Sequence, residues 1–150
     1  MYKRILMPTD GSTCSEAAIQ QGLELAKDLQ AEVTFLFAIE DPVTTIYAPE
    51  VVSYQPELYE QLKKGGQEAL ERAKKLADEL GVTAKLLLVE RKHPSEAIHE
   101  IEKEFDLIVM GTHGRRGFNR WMFGSVAEGV LRRAEKPCLM IRSGDKQEEA

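Results

Sequence analysis

Residues 111 to 125 read Gly-Thr-His-Gly-Arg-Arg-Gly-Phe-Asn-Arg-Trp-Met-Phe-Gly-Ser. Glycines at 111, 114 and 117 let a backbone approach a ligand closely. Arg115, Arg116, Arg120 and His113 sit among them. The segment closes on Gly124-Ser125 where a helical pattern begins, and a helix start carries unpaired N–H groups and a positive dipole end. Each of these parts suits phosphate, so the segment is read as a nucleotide-binding loop, against the alternative of a solvated basic loop.

The chain around it is acidic, with a formal net charge of −5 over 150 residues. That argues against a nucleic-acid partner attracted by a general basic field. It also makes a local arginine cluster a better candidate for a specific anion. Apolar residues make up 43% and charged residues 30%, the balance of a globular domain with room for a core. Cys14 and Cys138 have no motif spacing and suggest a reducing compartment. No leader is visible and no apolar run is long enough to span a bilayer, so the expected location is cytoplasmic.

The elements that must carry the loop alternate. Ile5 to Met7 is a short buried-strand candidate, closed by Pro8 and the turn formers Asp10-Gly11. Thr13 and Glu16 have capping-box spacing, and the helix they open places Ala18, Gly22, Leu25, Ala26 and Leu29 on one face. Val33 to Ile39 is the apolar run of a strand covered on both faces. Residues 40 to 57, with three prolines, break the rhythm as a lid, a contact surface or a disordered loop. A helix follows from about Pro56 to Leu80, weakened by Gly65-Gly66 and stopped by Gly81. Val82 to Val89 is a third strand, and Pro94 opens a helix burying Ile98, Ile101 and Phe105. Asp106 to Met110 is a fourth strand. Ser125 to Glu135 is a helix with Val126, Val130, Leu131 and Ala134 inward, and Cys138 to Ile141 is a fifth strand. This β-α alternation predicts a single-domain α/β fold, an open five-stranded parallel sheet with helices on both faces. The domain spans 1–143, with a polar tail over 144–150.

In such a sheet, ligands bind at the carboxyl ends of strands where the strand order reverses. The first strand ends in Pro8-Thr9-Asp10-Gly11-Ser12 and the fourth in Gly111-Thr112-His113-Gly114. If the two are neighbours, they face each other across one crevice. Asp10 then accepts from a ribose hydroxyl or holds a metal-bound water, or else serves only as a turn residue. The spacing fits neither a P-loop, which needs Gly-x4-Gly-Lys-Ser/Thr, nor the Gly-x-Gly-x2-Gly of dinucleotide folds.

It does fit Gly-x2-Gly-x9-Gly-Ser, through Gly111, Gly114, Gly124 and Ser125. This resembles the ATP-binding branch of the universal stress protein family. The likeness runs through Ile5 to Ser12, Asp106 to Arg115, Gly124 to Glu128 and Lys136 to Arg142. The resemblance implies a Rossmann-like fold with strand order 3-2-1-4-5. It also implies a pose for ATP, with Mg or Mn carried on the phosphates. Pro8, Thr9 and Asp10 line the nucleoside side, and Ala38 meets adenine through its backbone. From Met110 at the strand end, Gly111, Thr112, His113, Gly114, Arg115, Arg116 and Gly117 wrap ribose and phosphates. Gly124, Ser125 and Val126 offer N–H groups and a hydroxyl to phosphate oxygens. Arg115 and Arg116 are phosphate partners or solvent-facing charges. A homodimer through the edge strand Cys138, Leu139, Met140 and Ile141 is implied as well.

One departure stands out: the turn before the third helix is commonly Gly-x-Pro in the family and is Lys92-His93-Pro94 here. No general base, hydrolase elbow or zinc spacing is evident. The reading is therefore a nucleotide-dependent regulatory module for stress response, with a slow, partner-activated ATPase or an interaction protein with a vestigial loop as alternatives.

Overall fold

The computed structural model describes residues 1–40, 55–113 and 124–142. Five strands, β1 (Arg4–Pro8), β2 (Glu32–Ile39), β3 (Ala84–Glu90), β4 (Leu107–Gly111) and β5 (Cys138–Ile141), form one parallel sheet in the order β3-β2-β1-β4-β5. The expected order is thus borne out. Among the described residues, four helices lie between them: α1 (Thr13–Leu29), α2 (Gln55–Leu80), α3 (Pro94–Ile101) and α4 (Ser125–Arg133). A 3-10 turn, Glu102–Glu104, follows α3.

Strand alternation decides which side chains meet which helices. Ile5, Met7, Val33, Phe35, Leu107 and Val109 join one core with Ile19, Leu23 and Ala26 of α1 and Ala69, Leu70 and Ala73 of α2. Leu6, Leu36, Ile108 and Met110 point the other way, against Ala97 and Ile98 of α3 and Ala127 and Val130 of α4. The chain moves outward from β1 to β3, then returns past β1 to β4 and β5. With right-handed crossovers, that reversal sends α1 and α2 to one face and α3 and α4 to the other. Each fully buried side chain of Leu or Ile size contributes roughly 1.5–3 kcal/mol, and Ile5, Leu6, Leu23, Leu36, Ile98 and Ile108 are all within 1% of complete burial.

Several local expectations need correction. The cap of α1 is Ser12, not Thr13: the Ser12 hydroxyl accepts from the Ser15 amide at 3.1 Å. Glu16 is therefore one residue too far along to close the box, and it pairs instead with Arg72 of α2 at 2.7 Å. In α1, Ile19 and Leu23 are buried and Leu25 and Leu29 only partly so, because the helix is covered by sheet along one side. Leu131 of α4 faces outward at 44% exposure, and Ala127 takes the inward position. The third strand begins at Ala84 rather than Val82, and α4 ends at Arg133 rather than Glu135. Most of the proline-rich 40–57 segment and the 144–150 tail lie outside the described residues.

Candidate functional site

The strand order reverses between β1 and β4, which pair through Ile5 with Leu107 and Leu6 with Ile108. Their carboxyl ends are therefore adjacent, as the crevice requires.

The β1 side is a tight turn. The Thr9 amide donates to the Leu36 carbonyl at 2.8 Å, extending the β1–β2 ladder by one residue. Thr9 is buried, and its hydroxyl oxygen accepts from the Gly11 amide at 3.1 Å. Asp10 Oδ1 accepts from the Ser12 amide at 2.9 Å, and the Asp10 amide donates to Ser15 Oγ at 3.3 Å. Gly11 sits at φ 78°, the left-handed region that glycine enters without strain. Asp10 is thus a turn former in this structure, with one carboxylate oxygen engaged by the chain itself. Gly11 and Ser15 shape this wall and were not among the site residues expected from sequence, although Asp10-Gly11-Ser12 signalled the turn.

The β4 side approaches that turn closely. A Cβ at Gly111 would lie 3.4 Å from Ala18 Cβ and 3.6 Å from the Cys14 carbonyl oxygen, both in α1. Beyond it, Thr112 is buried and acts as a junction. Its amide donates to the Ile141 carbonyl at 3.0 Å, and its carbonyl accepts from the Gly124 amide at 2.7 Å. Its hydroxyl lies 3.0 Å from His113 Nδ1. Thr112 thus joins the end of β4 directly to Gly124. Gly114, Arg115, Arg116 and Gly117 fall between them, outside the described residues.

Gly124 is the N-cap of α4 at φ −62° and ψ 159°, with no side-chain cap bond. By contrast, Ser12 caps α1 and His93 caps α3 with side-chain acceptors. The first-turn amides of α4, with Ser125 exposed and Val126 half-buried, form a helix start suited to an anion. Pro8, at the end of β1, pairs with Leu36, so Ala38 lies two residues further along β2, half-buried. The side chain of Met110 is buried in the core against α3 and α4, so only its backbone faces the strand end.

A shallow depression of about 620 Å³ lies at the opposite end of the sheet, lined by Lys3, Arg4, Lys27, Gln30, Glu32 and Thr83, among others. The carboxyl ends of α1 and α2 arrive there, and their dipoles disfavour phosphate. Among the described residues no cluster of His, Cys, Asp and Glu is placed to hold a metal, and no helix is long and apolar enough to cross a membrane.

The model of the universal stress protein family matches residues 1–142. The chain belongs to this family. A universal stress protein of Methanocaldococcus jannaschii is 38% identical over 148 residues, covering 98% of this chain and 86% of that protein. The solved universal stress protein of Lactobacillus plantarum has a TM-score of 0.82 at 24% identity, covering 94% of this chain and 98% of its own. A family member from Arabidopsis thaliana, solved with AMP bound, has a TM-score of 0.70 at 20% identity, over 97% and 94% of the two chains. These last two likenesses establish the shared universal stress protein fold.

Proposed function

We propose that this universal stress protein binds an adenine nucleotide, ATP, in the crevice between the ends of β1 and β4. The observation that carries the reading is the start of α4. Its cap residue brings no side chain, its amides open at the strand reversal, and the Thr112–Gly124 bond ties that cap to the end of β4. A bound phosphate supplies the acceptors that a capping side chain supplies elsewhere. The Pro8-Thr9-Asp10 turn forms the nucleoside wall, and Ala38 offers backbone to the base. AMP in the Arabidopsis relative supports an adenine nucleotide on this fold. Gly114, Arg115, Arg116 and Gly117 complete the phosphate cradle in this reading, with Mg or Mn on the phosphates.

Occupancy by ATP is read as a regulatory signal in a cytoplasmic stress response, transmitted by a homodimer through β5. Leu139, 40% exposed on that edge strand, supports pairing with a second copy. Isothermal titration with ATP tests the reading: a saturable heat is expected, and none at high micromolar nucleotide overturns it. Sedimentation at tens of micromolar tests the dimer separately.

A further inference from the structure

The Lys92-His93-Pro94 turn, where this chain departs from Gly-x-Pro, holds an arrangement that nucleotide binding does not use. His93 is the N-cap of α3 at φ −66° and ψ 140°. Its Nδ1 accepts from the Ser95 amide at 3.1 Å and lies 2.8 Å from Ser95 Oγ. Its Nε2 lies 3.7 Å from Glu40 Oε1, just past the end of β2. An imidazole nitrogen that accepts from an amide carries no proton, so the ring proton is on Nε2, toward Glu40.

That arrangement has two states. In the neutral ring, Nδ1 satisfies an otherwise orphaned helix amide. In the charged ring, both nitrogens are donors and the amide loses its acceptor. A positive charge also opposes the positive end of the α3 dipole. Two acceptors stand ready for the charged ring: Ser95 Oγ beside Nδ1, and the Glu40 carboxylate beside Nε2. The remaining charged groups around the turn are largely committed among the described residues. Lys92 pairs with Glu100 of α3, Glu128 of α4 pairs with Arg132, and Glu90 at the end of β3 is held by Tyr59 and Lys63. Arg91 lies over the Tyr59 ring, and Glu96 sits in the first turn of α3.

The order Glu40-His93-Ser95 also matches a hydrolytic relay, but the packing opposes that use. Ser95 is buried, and a Cβ at Gly129 of α4 would lie 3.1 Å from its Oγ, so α4 occupies the space an attacked carbonyl needs.

We propose that His93 is a proton-operated cap. Its neutral ring holds the first turn of α3 through Nδ1. Its charged ring releases that turn, pairing with Glu40 through Nε2 while Nδ1–H turns to the Ser95 hydroxyl. Imidazole is the side chain that changes charge between about pH 5 and 8. The Lys92 amide donates to the Ile39 carbonyl at 3.2 Å, which sets this switch beside Ala38 at the end of β2.

The test is made on the protein without nucleotide, so it stands apart from the ligand reading. Nitrogen-15 NMR should find His93 Nδ1 unprotonated at pH 8, with a through-hydrogen-bond coupling to the Ser95 amide nitrogen. The coupling should vanish as the ring becomes charged. The variant His93→Ser keeps a capping oxygen that does not titrate. Amide exchange at Ala97 and Ile98 should be alike in the two proteins at pH 8, and roughly fivefold faster in the natural chain once its ring is charged. Absence of the coupling at pH 8, its survival in the charged ring, or an exchange ratio that does not change with pH would each overturn the proposal.

Discussion

Gly66 of α2 packs directly against Phe37: a Cβ there would stand 2.8 Å from Phe37 Cδ1 and 3.2 Å from Leu88 Cδ1. The helix rests on β2 and β3 more closely than a side chain permits. Its neighbour Gly65 has nothing within 4 Å of the same position. Two adjacent glycines therefore have opposite meanings. Gly65→Ala should raise stability by about 0.5–1 kcal/mol, since it removes only backbone freedom. Gly66→Ala should lower it by about 1–3 kcal/mol through overpacking. Urea titration of both variants checks the contrast, and equal shifts would refute it.

Glu102 is 1% exposed, yet every contact it makes suits a carboxylate. Its Oε1 accepts from the amides of Glu135 and Lys136, and Oε2 faces His99 Nδ1 at 3.2 Å. It fastens the turn after α4 to the end of α3, just before β5. Glu102→Ala should cost about 2 kcal/mol or more, because two partly buried amides lose their acceptor. Burial first, and then this carboxylate, push the Cys138 thiol up. Labelling of Cys138 at mildly alkaline pH should therefore be slow, and faster in Glu102→Gln.

Asp106 accepts the amides of Lys3 and Arg4, both at 2.9 Å on Oδ2, and these bonds hold its carboxyl below the usual value. A depressed folded value stabilises the fold above the unfolded carboxylate range, and that stabilisation is lost as pH falls through the folded value. Asp106→Asn should be the less stable protein at pH 7, with the gap closing in acid. Unfolding midpoints at pH 7 and pH 3 decide it; a gap that widens in acid contradicts the assignment.

At the neck of the candidate site, Gly124 already has φ −62°, which proline shares. Gly124→Pro thus removes the amide that binds Thr112 with little demand on φ, whereas Gly124→Ala keeps it. ATP affinity should fall about tenfold in the first and stay near the natural value in the second. Equal affinities would show that closure of the neck does not matter to binding.

The sheet was legible because its strands are short apolar runs separated by helical periods, and because the first and fourth strand ends carry turn chemistry. Of the candidate site, the adjacency of the first and fourth strand ends was legible, and the pairing of β1 with β4 shows it. What eluded the sequence were choices one residue apart. Ser12 and Thr13 are both good caps, and only the position of Ser15 in the first turn selects the former. Leu131 and Ala127 both fit a helical stripe, and the small residue goes inward where α4 packs beside α3. The role of His93 was not visible either, since its partner Glu40 is far away in sequence and meets it only because β2 and β3 are neighbours.

The bond between Thr112 and Gly124 also bears on how this architecture diversifies. Thr112 is bonded through its carbonyl to the cap of α4 and through its amide to β5, so one residue sets the strand, its neighbour and the helix against each other. These three elements are thus inherited as one unit, and a substitution at Thr112 or Gly124 is felt by more than the element that carries it.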